Sequence, residues 1–126
     1  MKISIIGSGS WGTAIGIMLA ENGHSVTLWS YTIEESDALR LHKENRAFLP
    51  GFVIPESIGY TNDLSLASDA DIIICATPSF AVGQVMRELK YYIKPGQIIL
   101  NISKGLEMGS LSTLATVIKR EIVNLG

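Results

Sequence analysis

The sequence predicts an α/β fold in which a parallel sheet of five strands is covered by helices on both faces. Short, largely apolar runs alternate along the chain with longer stretches in which apolar residues recur at helical spacing. The chain has 126 residues, of which 47% are apolar and 17% charged. This composition supplies enough apolar surface for one packed core, and it predicts a single doubly wound domain.

Five short runs, most of them largely apolar, are the predicted strands. They cover residues 3–6, 26–29, 58–61, 72–76 and 98–102. Because right-handed crossovers connect parallel strands, we expect the doubly wound strand order 3-2-1-4-5.

Helical patterns lie between and after these runs. In the first helix, Trp11, Ile15 and Met18 lie on one apolar face, and Asn22-Gly23 ends the helix because Gly23 supplies a left-handed cap. Two further helices are predicted at residues 32–44 and 63–70. Another has its apolar stripe at 82–89 and is stopped by Pro95-Gly96, and a last helix has its apolar face at 111–125 and runs to the end of the chain. Residues 45–55 hold two prolines and Gly51, and we expect a loop there that carries a functional surface.

Charge and composition exclude several classes of protein. The 10 Lys and Arg residues against 12 Asp and Glu give a net charge of −2 and form no basic stripe, which argues against nucleic-acid binding. No apolar run approaches the roughly 20 residues that a membrane helix needs, so we expect no membrane insertion. The amino terminus has no signal-peptide pattern, so we expect a cytoplasmic location. We expect no metal site, and we expect Cys75, the single cysteine, to be a core residue and not a nucleophile.

A glycine motif of the form G-x-G-x-x-G occupies residues 7–12, directly after the first strand and at the start of the first helix. Each glycine has a mechanical reason in such a motif. Gly7 permits the tight turn, Gly9 lets the backbone approach a pyrophosphate, and Gly12 lets the helix pack against the strand. The motif in this context predicts a Rossmann-type dinucleotide site.

The ligand of this turn is predicted to be an anion. The backbone amides of Ser10 and Trp11 lie at the positive end of the first helix and would hold a phosphate. Two alternatives remain: the glycines merely permit a sharp turn, or the turn binds S-adenosylmethionine. The tip of the second strand, at Tyr31, lacks the usual ribose-binding acid, and no cation lies nearer in sequence than Arg40. We therefore favour NAD over NADP as the cofactor.

Several further motifs follow one another along the chain. They are GSGSWGTA at 7–14, NGH at 22–24, LW at 28–29, HKEN at 42–45, FLPG at 48–51, ATPS at 76–79 and SKGLE at 103–107. In this combination the chain resembles the amino-terminal domain of bacterial NAD(P)-dependent glycerol-3-phosphate dehydrogenases. The resemblance implies reversible conversion of glycerone phosphate and sn-glycerol 3-phosphate by hydride exchange with a nicotinamide, a step that supplies phospholipid precursors.

The resemblance also implies roles for single residues. Ser10 and Trp11 match the pyrophosphate contacts of the family, and Tyr31 stands where the family often has a basic residue near the adenine ribose. Phe48 matches an aromatic residue that helps to close over the cofactor. Lys104 matches a lysine at the junction of cofactor and substrate.

Residues after the last two strands are further candidates. Lys104 follows a strand at the sheet edge where open α/β sheets bind ligands, and its charge could meet a phosphate or polarise a carbonyl; the alternative is a solvated loop lysine. Pro78 and Phe80 follow the fourth strand and are expected near the cofactor. The alternative for these two is that Pro78 stops the strand and Phe80 caps the core.

The family resemblance implies a longer protein, in which a helical substrate domain carries the proton-transferring lysine. We expect residues 1–126 to be the dinucleotide-binding domain and to be inactive alone. We also expect self-association through the apolar edge strand at 98–102. The alternatives are a stand-alone dinucleotide-binding or sensor module without catalysis, and the nucleotide domain of another dehydrogenase.

Overall fold

The computed structural model describes residues 1–46, 49–77 and 82–101. Its strands, in chain order, are β1 (Lys2–Ile6), β2 (Ser25–Trp29), β3 (Glu44–Asn45), β4 (Leu49–Val53), β5 (Gly59–Thr61), β6 (Ile72–Cys75) and β7 (Ile98–Asn101). Five of them form one parallel sheet in the order β5-β2-β1-β6-β7. Because β3 and β4 lie outside this sheet, the order is the predicted 3-2-1-4-5, and the predicted fold class is confirmed.

The register of the sheet brings the ends of its strands to one edge. Ile6 lies opposite both Trp29 and Cys75, so β1, β2 and β6 end at the same level. Trp29 is also paired with Thr61 at the end of β5, and Cys75 is paired with Asn101 at the end of β7. The chain therefore leaves all five strands at this carboxyl edge, where open α/β sheets bind ligands.

Helical elements cover both faces of the sheet. They are α1 (Ser10–Glu21), α2 (Ile33–His42), a 3-10 helix (Leu64–Asp69) and α3 (Val82–Leu89). On one face, Leu39 of α2 and the partly buried residues of α1 pack against Ile5 and Leu28. On the other face, Leu64 and Met86 pack with Ile73. The two faces thus carry separate apolar cores, as the doubly wound arrangement requires.

The end of α1 follows the sequence prediction. Gly23 has a φ of 92°, and its N–H donates to the carbonyl oxygen of Ala20 at 3.0 Å. The N–H of His24 donates to the carbonyl oxygen of Leu19 at 3.1 Å. This pair of bonds is a Schellman motif, which satisfies carbonyl groups at the helix end and turns the chain into β2.

The start of α2 also follows the prediction, but its end does not. The hydroxyl of Thr32 accepts a hydrogen bond from the N–H of Glu35 at 3.2 Å, which caps the helix. The predicted helix ran to residue 44, whereas α2 ends at His42. Lys43 adopts a left-handed conformation with φ of 53°, and its N–H closes on the carbonyl of Leu39.

The segment predicted as a loop at 45–55 contains an antiparallel hairpin of β3 and β4, so that prediction was wrong in part. The carboxylate of Glu44 accepts from the N–H of Gly51 at 3.0 Å, and the N–H of Ile54 donates to the carbonyl of Lys43 at 2.8 Å. Most of β4 is exposed on both faces, so its sequence shows no alternation of apolar and polar residues. Without that alternation a strand gives no periodic signal.

Cys75 lies in the core, as predicted. It is fully buried at the end of β6, and burial raises the pKa of its thiol to about 12. Burial and the raised pKa both disfavour the thiolate near neutral pH, as expected for a core cysteine. The helix predicted at 111–125 lies outside the described residues. Among the helices that the structure describes, none has the length and apolar character to cross a membrane.

Candidate functional site

The turn between β1 and α1 lies at the switch point of the sheet, where β1 and β6 are neighbours but lead to helices on opposite faces. Gly7 has a φ of 128°, and its N–H donates to the carbonyl oxygen of Trp29 at 2.9 Å. A Cβ at this position would lie 2.6 Å from the carbonyl oxygen of Ala76. Both the backbone conformation and the contact with Ala76 therefore require glycine here.

The other two glycines of the motif have different surroundings. A Cβ at Gly12 would overlap the carbonyl oxygen of Gly7 and would lie 3.3 Å from the Cβ of Ala76. A Cβ at Gly9 would meet no atom within 4 Å. Two of the glycines thus serve close packing inside the protein, whereas the third leaves the backbone open to a ligand.

The amino terminus of α1 presents unsatisfied amides to this open space. The first hydrogen bond along the helix runs from the N–H of Thr13 to the carbonyl oxygen of Gly9 at 3.0 Å, so the amides of Ser10 and Trp11 precede it. In the described part of the chain no side chain caps this terminus, and the first turn holds no acidic residue. The arrangement favours an anion, because the amides and the helix dipole both present positive charge.

A buried polar network lies beneath the turn. The hydroxyls of Ser8 and Ser30 are 2.8 Å apart. The carbonyl oxygen of Ser8 accepts from Nδ2 of Asn45 at 2.6 Å and from Oγ1 of Thr13 at 3.3 Å. Nδ2 of Asn45 also lies 2.8 Å from Oγ1 of Thr13. All four side chains are buried, so the turn is held from below by the residue after β2, by the first turn of α1 and by the hairpin.

Sequence reasoning missed this network. In the sequence, Ser8 is a variable position of the glycine motif, and Asn45 is the last residue of the HKEN segment. Their contact joins residues that are 37 positions apart. A signal from local spacing cannot report such a contact, because the fold alone brings the two segments together.

Tyr31 lies at the tip of β2 beside a cavity. Its side chain is 53% exposed, and its ring meets that of Trp29 edge-to-face at a centroid distance of 6.1 Å. The cavity has a volume of about 470 Å³, and Asp63 and Glu88 are among its lining residues. No Lys or Arg is among the described residues that line it. The cavity is thus large enough for a heterocycle and has acidic groups on its wall.

Two buried polar atoms at this edge have no hydrogen-bond partner among the described residues. They are Nε1 of Trp29, at the end of β2, and Oγ1 of Thr77, just after β6. Buried polar groups are nearly always paired, and an unpaired one has a free-energy cost. The described part of the protein therefore leaves hydrogen-bonding capacity unused at the carboxyl edge.

The remaining predicted site residues are placed only in part. The backbone of Ser10 and Trp11 lies at the start of α1, beside Gly9. Phe48, Pro78, Phe80 and Lys104 lie outside the described residues. Within the described ranges, no group of three or more His, Cys, Asp or Glu side chains could hold a metal ion.

Comparison with known proteins gives a consistent result. The family described as the N-terminus of NAD-dependent glycerol-3-phosphate dehydrogenase matches residues 2–125. A glycerol-3-phosphate dehydrogenase (NAD(P)+) of Fusobacterium nucleatum is 43% identical over 123 residues, which are 97% of this chain and 37% of the relative. The corresponding enzyme of Desulfitobacterium hafniense is 36% identical over 121 residues, which are 96% of this chain and 34% of the relative.

A solved structure agrees with these relatives. The crystal structure of glycerol-3-phosphate dehydrogenase from Coxiella burnetii superposes with a TM-score of 0.85 at 34% identity. The match covers 96% of this chain and 37% of that one. The chain thus spans about a third of the length of the curated relatives it matches.

Proposed function

Because this chain belongs to the family formed by the N-terminus of NAD-dependent glycerol-3-phosphate dehydrogenase, we propose that it is the dinucleotide-binding portion of such an enzyme. The observation that carries the proposal is the open backbone at Gly9 beside the unsatisfied amides of α1. Backbone that a Cβ would cover, next to a helix terminus, suits the close approach of a pyrophosphate.

The parts of the cofactor can be assigned to parts of the site. The pyrophosphate would accept hydrogen bonds from the amides of Ser10 and Trp11, and the adenosine half would occupy the cavity beside Tyr31. The nicotinamide half would extend toward Pro78, Phe80 and Lys104, and Phe48 would close over the cofactor. The roles of Phe48 and Lys104 rest on the family resemblance, and those of Pro78 and Phe80 rest on their position after the fourth predicted strand.

The same cavity favours NAD over NADP. The 2′-phosphate of NADP would bring further negative charge close to the carboxylates of Asp63 and Glu88. The hydroxyl of Ser30, the residue after β2, is already bonded to Ser8. Since like charges repel and no described cation lines the cavity, we expect the phosphorylated ribose to bind less tightly.

The reaction we propose for the whole protein is the interconversion of glycerone phosphate and sn-glycerol 3-phosphate. The nicotinamide supplies or accepts the hydride when it is bound. Lys104 would neutralise the substrate phosphate or polarise its carbonyl. The proton-transferring lysine would lie in the part of the relatives that this chain does not span, so we expect no turnover from residues 1–126 alone.

The cellular context follows from this reaction. Its product would serve phospholipid synthesis, and we place the protein in the cytoplasm. No contact with nucleic acid is part of the proposal.

Thermal melting of the 126-residue chain with added ligands tests the proposal. NADH should raise the melting temperature, since a ligand at about 100 times its Kd adds about 2.7 kcal/mol to the free energy of unfolding. NADPH should raise it less than NADH. S-adenosylmethionine should leave it unchanged. A rise with S-adenosylmethionine alone would favour a methyltransferase, and a stronger rise with NADPH would contradict the assigned role of Asp63 and Glu88.

We also propose that the chain self-associates through the edge at 98–102. β7 is the last strand of the described sheet on this side, and its partner on the other side is β6. The side chains of Ile98 and Leu100 are about half exposed. An apolar edge strand of this kind recruits a strand from another chain.

A further inference from the structure

Asn45 makes an unusual contact for a residue of an exposed hairpin. It is only 5% exposed, and its amide nitrogen donates to the carbonyl oxygen of Ser8 at 2.6 Å and lies 2.8 Å from Oγ1 of Thr13. The hairpin that carries it is otherwise peripheral, since β4 is mostly exposed. A buried side-chain amide at this place therefore serves the glycine turn, not an apolar core.

The geometry of the peptide bond shows what this contact controls. The carbonyl of Ser8 and the N–H of Gly9 belong to one peptide unit, and none of the described peptide bonds is cis. In a trans peptide the C=O and the N–H point in opposite directions. Because Asn45 and Thr13 hold the carbonyl oxygen toward the interior, the N–H of Gly9 points away from the interior.

The space on that outer side is open. A Cβ at Gly9 would meet no atom within 4 Å, and the amides at the start of α1 lie next to it. An N–H fixed in this direction before the ligand arrives requires no reorientation on binding. Such preorganised donors bind an anion more tightly than donors that must first turn.

We infer that Asn45 is a positioning residue for diphosphate recognition: it orients the Ser8–Gly9 peptide so that the N–H of Gly9 is directed at the bound pyrophosphate. This inference rests on the proposed function of the turn. It also gives the hairpin a role, because the hairpin carries the amide that sets the phosphate-binding conformation from below.

The test compares ligands that contain a diphosphate with one that lacks it. Wild type, Asn45→Ala and Asn45→Asp chains of 126 residues are titrated with NADH and with adenosine, and the Gly9 amide is followed by NMR. Glu44→Ala is the matched control. Glu44 directly precedes Asn45, and its replacement removes the hydrogen bond from the N–H of Gly51 within the hairpin but no hydrogen bond to Ser8. If Asn45→Ala and Asn45→Asp lose the same NADH affinity, repulsion between the aspartate and the diphosphate is not the cause of the loss.

Loss of one hydrogen bond to a charged group predicts that NADH affinity falls about tenfold or more in both Asn45 variants. Adenosine affinity should stay within about twofold, Glu44→Ala should bind NADH like wild type, and the NADH-induced shift of the Gly9 amide should be lost with Asn45. Equal losses for NADH and adenosine, an unchanged NADH affinity, or unfolding of both Asn45 variants would each overturn the inference. Wild type that binds no NADH would instead refute the proposed function.

Discussion

Gly9 and Gly12 share a motif but differ in what surrounds them. A side chain at Gly12 would collide with the backbone of Gly7, whereas one at Gly9 would project into open space. The φ of Gly9 is −73°, which other residues adopt without strain. At the scale of single residues, the structure therefore separates a requirement of the fold from a requirement of ligand binding.

Alanine substitutions at these two glycines should have opposite profiles. Gly12→Ala should lower the free energy of unfolding by about 2 kcal/mol, since overpacking against rigid backbone typically costs about 1–3 kcal/mol. Gly9→Ala should change stability by less than about 0.5 kcal/mol and weaken NADH binding about tenfold, because its methyl group occupies the approach to the amides. Urea titration and NADH titration measure the two effects. A stable Gly9→Ala chain with wild-type affinity would show that the pyrophosphate binds elsewhere.

The roles of the glycines could be predicted from the local sequence, whereas the side chains that hold the turn in place could not. Gly7 and Gly12 could be assigned roles from the strand, turn and helix pattern alone. Asn45 and Ser30 could not, because their partners at the turn are distant in sequence and a single polar residue has no periodicity. Buried side chains that support a binding site through contacts distant in sequence therefore cannot be identified from one sequence.

Among the elements, the strands were the most predictable and the hairpin the least. The run that became β6 lies inside the sheet and is apolar from end to end, and the run that became β7 is apolar except for Asn101. The hairpin of β3 and β4 contains Pro50 and Gly51, residues that ordinarily indicate a loop. Its stability comes from hydrogen bonds such as that of Glu44, which composition does not report.

The 3-10 helix at Leu64–Asp69 gives a prediction about pH. Hydrogen bonds from the backbone, and then the side chain, of Ser65 lower the pKa of Asp63 from its ordinary value of 3.8. A carboxyl whose pKa is lower in the folded state stabilises the fold above its unfolded pKa and loses this effect as the pH falls through the folded pKa. Asp63→Ala should therefore have a lower melting temperature than wild type at pH 7, and the difference between the two melting temperatures should become smaller below pH 4.

Melting curves of both chains between pH 7 and pH 2 measure this difference. Thr32→Ala is a useful control, because it removes a helix cap whose hydroxyl does not titrate. The lowering of the melting temperature by Thr32→Ala should therefore change much less with pH than that by Asp63→Ala. A gap for Asp63→Ala that stays constant into acid would contradict the role of the ionised carboxylate.

At the scale of the whole molecule, the proposed contact between chains at the sheet edge gives a prediction about oligomeric state. Sedimentation velocity of the 126-residue chain should show concentration-dependent dimers, and Ile98→Lys should shift the population toward monomer, because a lysine on an edge strand disfavours strand addition. Leu66→Lys, on an exposed position of the 3-10 helix, is the matched control and should leave the dimer intact. A monomer at the highest attainable concentration of wild type would contradict the proposed self-association.

The contact between Gly7 and Ala76 also has a consequence for how the chain folds. These two residues are far apart in sequence, and between them lie two α-helices, the 3-10 helix, three strands of the sheet and the hairpin. The phosphate-binding conformation cannot form until the two segments have met, and contacts between remote segments are acquired slowly. In refolding experiments, recovery of nucleotide affinity should therefore trail the return of helical circular dichroism.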